Sequence, residues 1–208
     1  MFNLLFYETN KPYGCFSNFA KYPIEVEGKL WPTSEHYFQA AKFAGTPHEE
    51  ELRLVEKPMD VARMGRERSR PLRADWEQIK DDVMRKAVGA KVEQYPHIKS
   101  ILLSTGSCSL IEHTSNDSYW ADGGDGTGKN MLGVILMEIR SSLPEYTGEF
   151  YLPQWIAYPD IHPYDIFWRM GMGEGYVMEY GQWFYGLSKE AQEEYNHYFV
   201  PPREWEGK

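Results

Sequence analysis

Apolar and polar residues are patterned along this chain in a way that predicts a mixed fold with more helix than strand. Tyr22–Val26 and Lys29–Trp31 flank Glu27-Gly28, which predicts a short strand pair around a turn that glycine permits. A helix is expected from Thr33 or Ser34, just past Pro32, to about Ala44. Thr46-Pro47-His48-Glu49 marks the next start, with an N-cap, a proline at the first helical position and a capping-box glutamate. Asp75 with Gln78 opens a long helix whose apolar positions Trp76, Ile79, Val83 and Ala87 recur at helical spacing. Leu132, Ile135, Leu136, Ile139 and Leu143 repeat that spacing later. Strand signals are few, so the expected sheet is small.

The pattern changes at Leu143-Pro144. Residues 144–208 hold 17 of the 32 aromatic side chains, mixed with glycine and proline. So much apolar area is not expected to stay solvated, and this segment is expected to pack on the core or on a second subunit. The 208 residues suit one domain of residues 1–143 with an extension of residues 144–208. No apolar run approaches the roughly 18 residues of a membrane span, and the start lacks a basic flank and a cleavage site. With only Cys15 and Cys108, no disulfide framework or metal cage is expected, and a reducing, cytoplasmic setting fits. The net charge of −9 argues against nucleic-acid binding by overall attraction. That charge is uneven: residues 1–143 carry 18 Lys+Arg against 20 Asp+Glu, and residues 144–208 carry 4 against 11.

Three segments carry candidate chemistry. In the segment Trp31–Lys42, if the helix forms as expected, Glu35, Gln39 and Lys42 are spaced i, i+4, i+7 and share one face. Spacing alone favours reading that stripe as a solvated helix face. The run Arg63–Arg73 holds five arginines around Gly65 and Pro71, just before the Asp75 helix. Arginine's planar fork matches phosphate oxygens, and a surface of salt bridges is the equal alternative. In Asn116–Asn130, four glycines within six residues could wrap an anion, beside Asp117, Asp122 and Asp125. The order is neither that of a Walker A loop nor that of a calcium loop. A plain connecting turn is its alternative.

Read together, the segments PYGCFSNF (12–19), WPTSEHYFQAAKF (31–43), ARMGRERSRPLRADW (62–76), VMRKA (83–87), EHTSNDSYWADGGDGTGKNMLG (112–133) and LMEIR (136–140) resemble the NADAR, or YbiA-like, family. The matching pieces span nearly all of residues 6–143 in family order. The resemblance implies an α+β, predominantly helical domain with a small antiparallel sheet, and hydrolysis of N-glycosidic bonds. Its catalytic residues fall on Glu35, Trp76 and Asp117. Its substrates are riboflavin-pathway intermediates, in which ribose 5-phosphate is joined to a pyrimidine amine, and ADP-ribose attached to guanine, as in nucleic acid. Ala121 stands where the family pattern usually has glycine, which puts fine loop shape in question.

Breaking a ribosyl C–N bond builds positive charge on the sugar, so a carboxylate beside it and a way to neutralise the departing amine are needed. Glu35 and Asp117 are the candidate pair, with Trp76 shaping the site. A second route forms a Schiff base on Lys42, which shares the predicted face with Glu35. The residues expected to hold substrate or its phosphate are Asn18, Gly65, Arg66, Arg68, Arg70, Trp120, Asp122, Gly123, Gly124, Gly126, Gly128 and Asn130. No metal, cofactor or membrane is called for, and a homodimer through the C-terminal extension stays open. Two other readings are a non-catalytic ADP-ribose or nucleotide-binding module and an interaction protein built on the aromatic segment.

Overall fold

The computed structural model describes residues 3–143 except Pro12 and Arg68, and residues 151–207 except Pro159, Val200, Pro202 and Glu206. The chain divides into two compact units, residues 1–94 with 107–142, and residues 95–106 with 143–208. Among the described residues no helix is long and apolar enough to cross a membrane.

The first unit is α+β and mainly helical. Strands β1 (Asn3–Phe6), β2 (Ile24–Val26) and β3 (Lys29–Trp31) precede helices α1 (Ser34–Ala41), α2 (Pro47–Arg53), α3 (Pro58–Met64) and α4 (Trp76–Gln94). The hairpin β2–β3 is antiparallel, with Ile24 opposite Trp31. Its turn needs two successive left-handed residues, and Glu27 and Gly28 supply them at φ 56° and 72°. A second pairing was not legible in the sequence. β1 runs parallel to β4 (Ser109–Glu112), more than a hundred residues away in the chain.

Helix α1 lies at the centre, packed against α2, α3, α4 and β3. All eight of its residues are buried, which overturns the solvated-face reading of its polar stripe. Its N-cap Thr33 accepts the His36 N–H, and His36 Nε2 lies 2.9 Å from the Val55 carbonyl, so polar groups enter the core with partners. The helix stops at Ala41 rather than Ala44, because Phe43 and Ala44 close i→i+3 bonds and Gly45 turns at φ 78°. The capping box of α2 also differs from expectation. Thr46 Oγ1 donates back to Phe43 O, and Glu49 Oε2 accepts the Gly45 N–H at 2.8 Å, one residue early.

In α4 the buried stripe is Trp76, Met84, Ala87, Val88, Lys91 and Val92, while Ile79 and Val83 are only half-buried. Helix α6 (Met131–Ser142), the next of this unit after α4, buries Leu132, Gly133, Ile135 and Leu136 against β4 and α4. A Cβ on Gly133 would stand 2.1 Å from the Leu110 carbonyl, so glycine is required for α6 to approach β4. Each apolar side chain fully buried this way is worth about 1.5–3 kcal/mol.

The second unit contains α5 (Pro96–Ser104), α7 (Gln154–Ala157), α8 (Gly171–Gly186) and α9 (Lys189–Tyr198). Its core is Ile156, Tyr195 and Phe199, with Ile101, Leu152, Trp155, Tyr180, Trp183 and Phe184 packed around them. Buried tyrosines bring their hydroxyls to carbonyls, Tyr195 to Tyr151 O at 2.8 Å and Tyr176 to Leu152 O at 2.6 Å. Much of the aromatic segment is thus covered, but Met172, Met178 and Tyr185 remain exposed. The composition boundary at Leu143-Pro144 adjoins residues 144–150, which lie outside the described residues. It gives no sign that α5, from the middle of the chain, belongs to this unit.

Candidate active site

The site is assembled in the first unit around a cavity of about 580 Å³. Its first wall is α1, whose helical spacing puts Glu35, Phe38, Gln39 and Lys42 on the lining. The start of α1 is tied down by the Glu35 N–H, which donates to Asn18 O at 3.1 Å. Gln39 Nε2 donates to Glu35 Oε1 at 2.7 Å, and Lys42 Nζ to Gly65 O at 3.1 Å. Gln39 Oε1 stands 1.9 Å from where a Gly65 Cβ would be, so a side chain at this position would displace the Gln39 amide from its place beside Glu35. The next residue, Arg66, lines the cavity.

Helix α4 adds Trp76, Glu77, Lys80 and Met84. The Phe38 ring lies 5.1 Å from Trp76 and 5.1 Å, edge to face, from Trp120. Lys42 Nζ sits 5.6 Å from the centroids of both Phe38 and Trp76. Asn18 donates to Met84 Sδ, and its buried Oδ1 at the cavity wall has no partner among the described residues. Behind it Lys91 is fully buried, its Nζ donating to Phe16 O and Ser17 O at 3.3 and 3.0 Å. Burial without a hydrogen-bonded anion drops the Lys91 pKa to about 8.

The opposite wall follows β4 with Glu112, Thr114, Asn116, Asp117, Tyr119 and Trp120. Asn130 anchors it: its Oδ1 accepts the Glu112 N–H at 2.9 Å and its Nδ2 donates to Leu110 O at 2.8 Å. Asp117 Oδ1 accepts the N–H groups of Tyr119 and Trp120, both at 2.7 Å, which fixes one carboxylate oxygen. Asp122 Oδ1 accepts from Thr114 N and Gly124 N, and its Oδ2 meets His113 Nδ1 at 2.8 Å.

The glycine loop does not line this cavity. Gly123 N–H goes to Asp117 O, Gly124 N–H to the Asp122 carboxylate, and those of Gly126 and Gly128 to Asp122 O. Its amides are committed inward, so the loop braces the wall that carries Asp117. Ala121 is buried at a negative φ, so its methyl group is accommodated.

Electrostatically, three carboxyls from separate elements act on one another. Burial raises the Glu35 pKa, opposed by the Gln39 amide and the charges of Lys42 and Arg66, and reinforced by Asp117. Glu112 is pushed up to about 8, first by burial and then by Asp117 and Glu35, with Lys91 opposing. Among the described residues, no group of three His, Cys, Asp or Glu side chains is arranged to hold a metal ion.

Of the residues expected from sequence, the cavity gathers Glu35, Lys42, Trp76, Asp117, Asn18, Arg66 and Trp120. Gly65 supports it from behind. Asp122, Gly123, Gly124, Gly126, Gly128 and Asn130 hold the wall from outside the lining. Arg70 is engaged by Glu67 and by Glu51 at 2.8 Å and does not reach the cavity. Arg68 lies outside the described residues. Glu112 was not anticipated, although its signal was present: the alternation in Ser109–Glu112 puts Leu110 and Glu112 on the same buried face. A charged residue at a buried strand position is unusual enough to mark. Beside this cavity lies a groove of about 780 Å³ that shares Tyr7, Phe19 and Met59 with it and carries Lys21, Tyr22 and Lys57.

The chain is similar to known proteins over its first two thirds. N-glycosidase YbiA of Escherichia coli is 58% identical over 138 residues, covering 66% of this chain and 86% of that protein. A chloroplastic riboflavin biosynthesis protein of Zea mays is 39% identical over 153 residues, covering 66% of this chain and 25% of its own length. The solution structure of the Escherichia coli YbiA protein superimposes with a TM-score of 0.64 at 56% identity, covering 67% of this chain and 83% of that one. The model of the NADAR domain matches residues 5–144. The chain therefore belongs to the NADAR domain family and is an enzyme of the N-glycosidase class, a hydrolase of N-glycosyl bonds.

Proposed function

We propose that the substrate is a ribose 5-phosphate joined through its anomeric carbon to the exocyclic amine of a base, and that Glu35 and Asp117 attack this bond from the two walls of the cavity. The observation that carries this reading is the meeting of these two carboxyls, from α1 and from the loop after β4, in one aromatic-lined pocket. Cleavage of the C–N bond leaves positive charge on the ribose, which carboxylates stabilise best where water is excluded. Glu35, buried and raised in pKa, suits the base that takes a proton from the attacking water. Asp117, with one oxygen held by two N–H groups, suits the fixed charge facing the sugar. Trp76, Phe38 and Trp120 exclude water and offer faces for the base.

Phosphate recognition falls to Arg66. In the arginine run, Arg63, Arg70 and Arg73 pair with Asp60, Glu51 and Glu67, and Asp75. Arg66 lines the cavity without an ion pair among the described residues. Lys80 adds a second cation on the lining, held 4.0 Å above the Tyr119 ring.

A riboflavin-pathway intermediate would fit the cavity alone. ADP-ribosylated guanine is a second substrate, favoured by the adjoining groove, whose tyrosines and lysines suit a further nucleotide. Incubating the purified protein with each and measuring released ribose 5-phosphate or ADP-ribose separates them; release from neither contradicts the reading. The chemistry has a second route, favoured by the position of Lys42 in a buried, aromatic corner of the cavity. A neutral amine there would form a Schiff base with the ring-opened sugar. Two free cysteines, Cys15 and Cys108, support a reducing compartment such as the cytoplasm.

A further inference from the structure

Hydrolysis at an exocyclic amine needs two protons handled at once. The attacking water must lose one, and the departing nitrogen must gain one, since an amide-like anion is too poor a leaving group. Glu35 and Asp117 are assigned to the water and to the charge on the sugar, and both carboxyls are already engaged as hydrogen-bond acceptors. Glu35 accepts a hydrogen bond from Gln39 and lies within the field of Lys42 and Arg66. Asp117 accepts two backbone N–H bonds.

Glu112 is placed differently. It lines the same cavity and is 9% exposed, and its backbone is fixed by Asn130 at the end of β4. Among the described residues, no donor is hydrogen-bonded to its carboxyl oxygens. The charged groups acting on it are Glu35 from α1, Asp117 and Asp122 from the loop, and Lys91 from α4, so three anions oppose one cation. Burial first, and then the negative charges of Asp117 and Glu35, disfavour the ionised form of Glu112.

Resting on the proposed hydrolysis, we propose that Glu112, which lines the cavity together with Glu35 and Asp117, is the proton donor that protonates the departing amine. As the C–N bond breaks, its electron pair goes to nitrogen, which takes the Glu112 proton and leaves as a neutral amine. Water bonds to the anomeric carbon and gives a proton to Glu35. Return of that proton from Glu35 to Glu112 through solvent restores both groups, and the net reaction consumes one water. The value of about 8 for Glu112 keeps the acid form available at neutral pH.

The variant Glu112→Gln keeps size and shape and cannot donate this proton. On the phosphoribosylamino-pyrimidine substrate its turnover is expected to fall by about 100-fold or more. Wild-type turnover should decline as pH rises through about 8, and the variant should lose that limb. A variant within a few-fold of wild type overturns the proposal, as does a slowed variant that keeps the limb. Thermal melting supplies a readout that needs no substrate. Because folding raises this carboxyl from 4.5 to about 8, its stabilisation is full below 4.5 and is lost as pH rises to about 8. Glu112→Gln should therefore gain stability relative to wild type across that window. A constant difference between the two proteins from pH 4.5 to 8 also overturns the proposal. If wild type leaves the amine intact while the melting difference appears, the substrate reading fails and Glu112 still holds its proton.

Discussion

At the scale of single residues, chemistry was legible where a residue type is rare for its surroundings and illegible where burial decides. Glu35, Gln39 and Lys42 could be placed on one helix face from spacing alone, yet the same spacing describes a wet stripe and a buried one. What separates them is the cover supplied by α2, α3 and α4, which no local pattern encodes. Glu112 escaped for a different reason: the alternation that marks it spans only the four residues of β4, a signal present but short. Lys42 belongs to this scale as well. If the Schiff-base route operates, borohydride added during turnover reduces the imine and attaches the sugar to Lys42, a mass gain that Lys42→Met abolishes. An unmodified protein under conditions that trap a known Schiff-base enzyme contradicts that route and leaves direct hydrolysis.

Among the elements, local rules located α1, α2, α4, α6 and the β2–β3 hairpin, because caps, prolines and a two-residue left-handed turn act within a few residues. The parallel pair β1–β4 was not legible, since its register is set by partners a hundred residues apart. The glycine loop was seen but read as an anion cradle. Composition shows that a backbone can turn sharply; it does not show where the amides point, and here they point at Asp117 and Asp122. Helix α5 carries an element-scale prediction. Its Ile101 packs on the Ile156, Tyr195 and Phe199 core, and α9 lies against it. A chain ending at Leu143 removes those partners and should lose about 1 kcal/mol or more of stability for the exposed side chain alone, and so melt at a lower temperature. Equal melting of the shortened and full chains would show that α5 does not depend on the C-terminal unit.

At the level of the whole molecule, the net charge of −9 hides a division of labour. The acid excess sits in residues 144–208, whereas the unit that holds the cavity is close to neutral and presents Arg66 and Lys80 at its lining. If the proposed phosphorylated sugar is the substrate, Arg66 is the cation on the lining that would meet its phosphate, in a protein whose total charge would repel it. The same unit brings carboxyls from α1, from β4 and from the loop beyond it to one cavity, the residue type on which the proposed glycosyl cleavage depends. Turnover of the phosphoribosylamino-pyrimidine by Glu35→Gln and Asp117→Asn, read as released ribose 5-phosphate beside wild type and with melting curves to show folded protein, tests this most directly. Each variant is predicted to lose roughly 100- to 10,000-fold in rate, and near-normal release by both would contradict the assignment of the cavity as the site of cleavage.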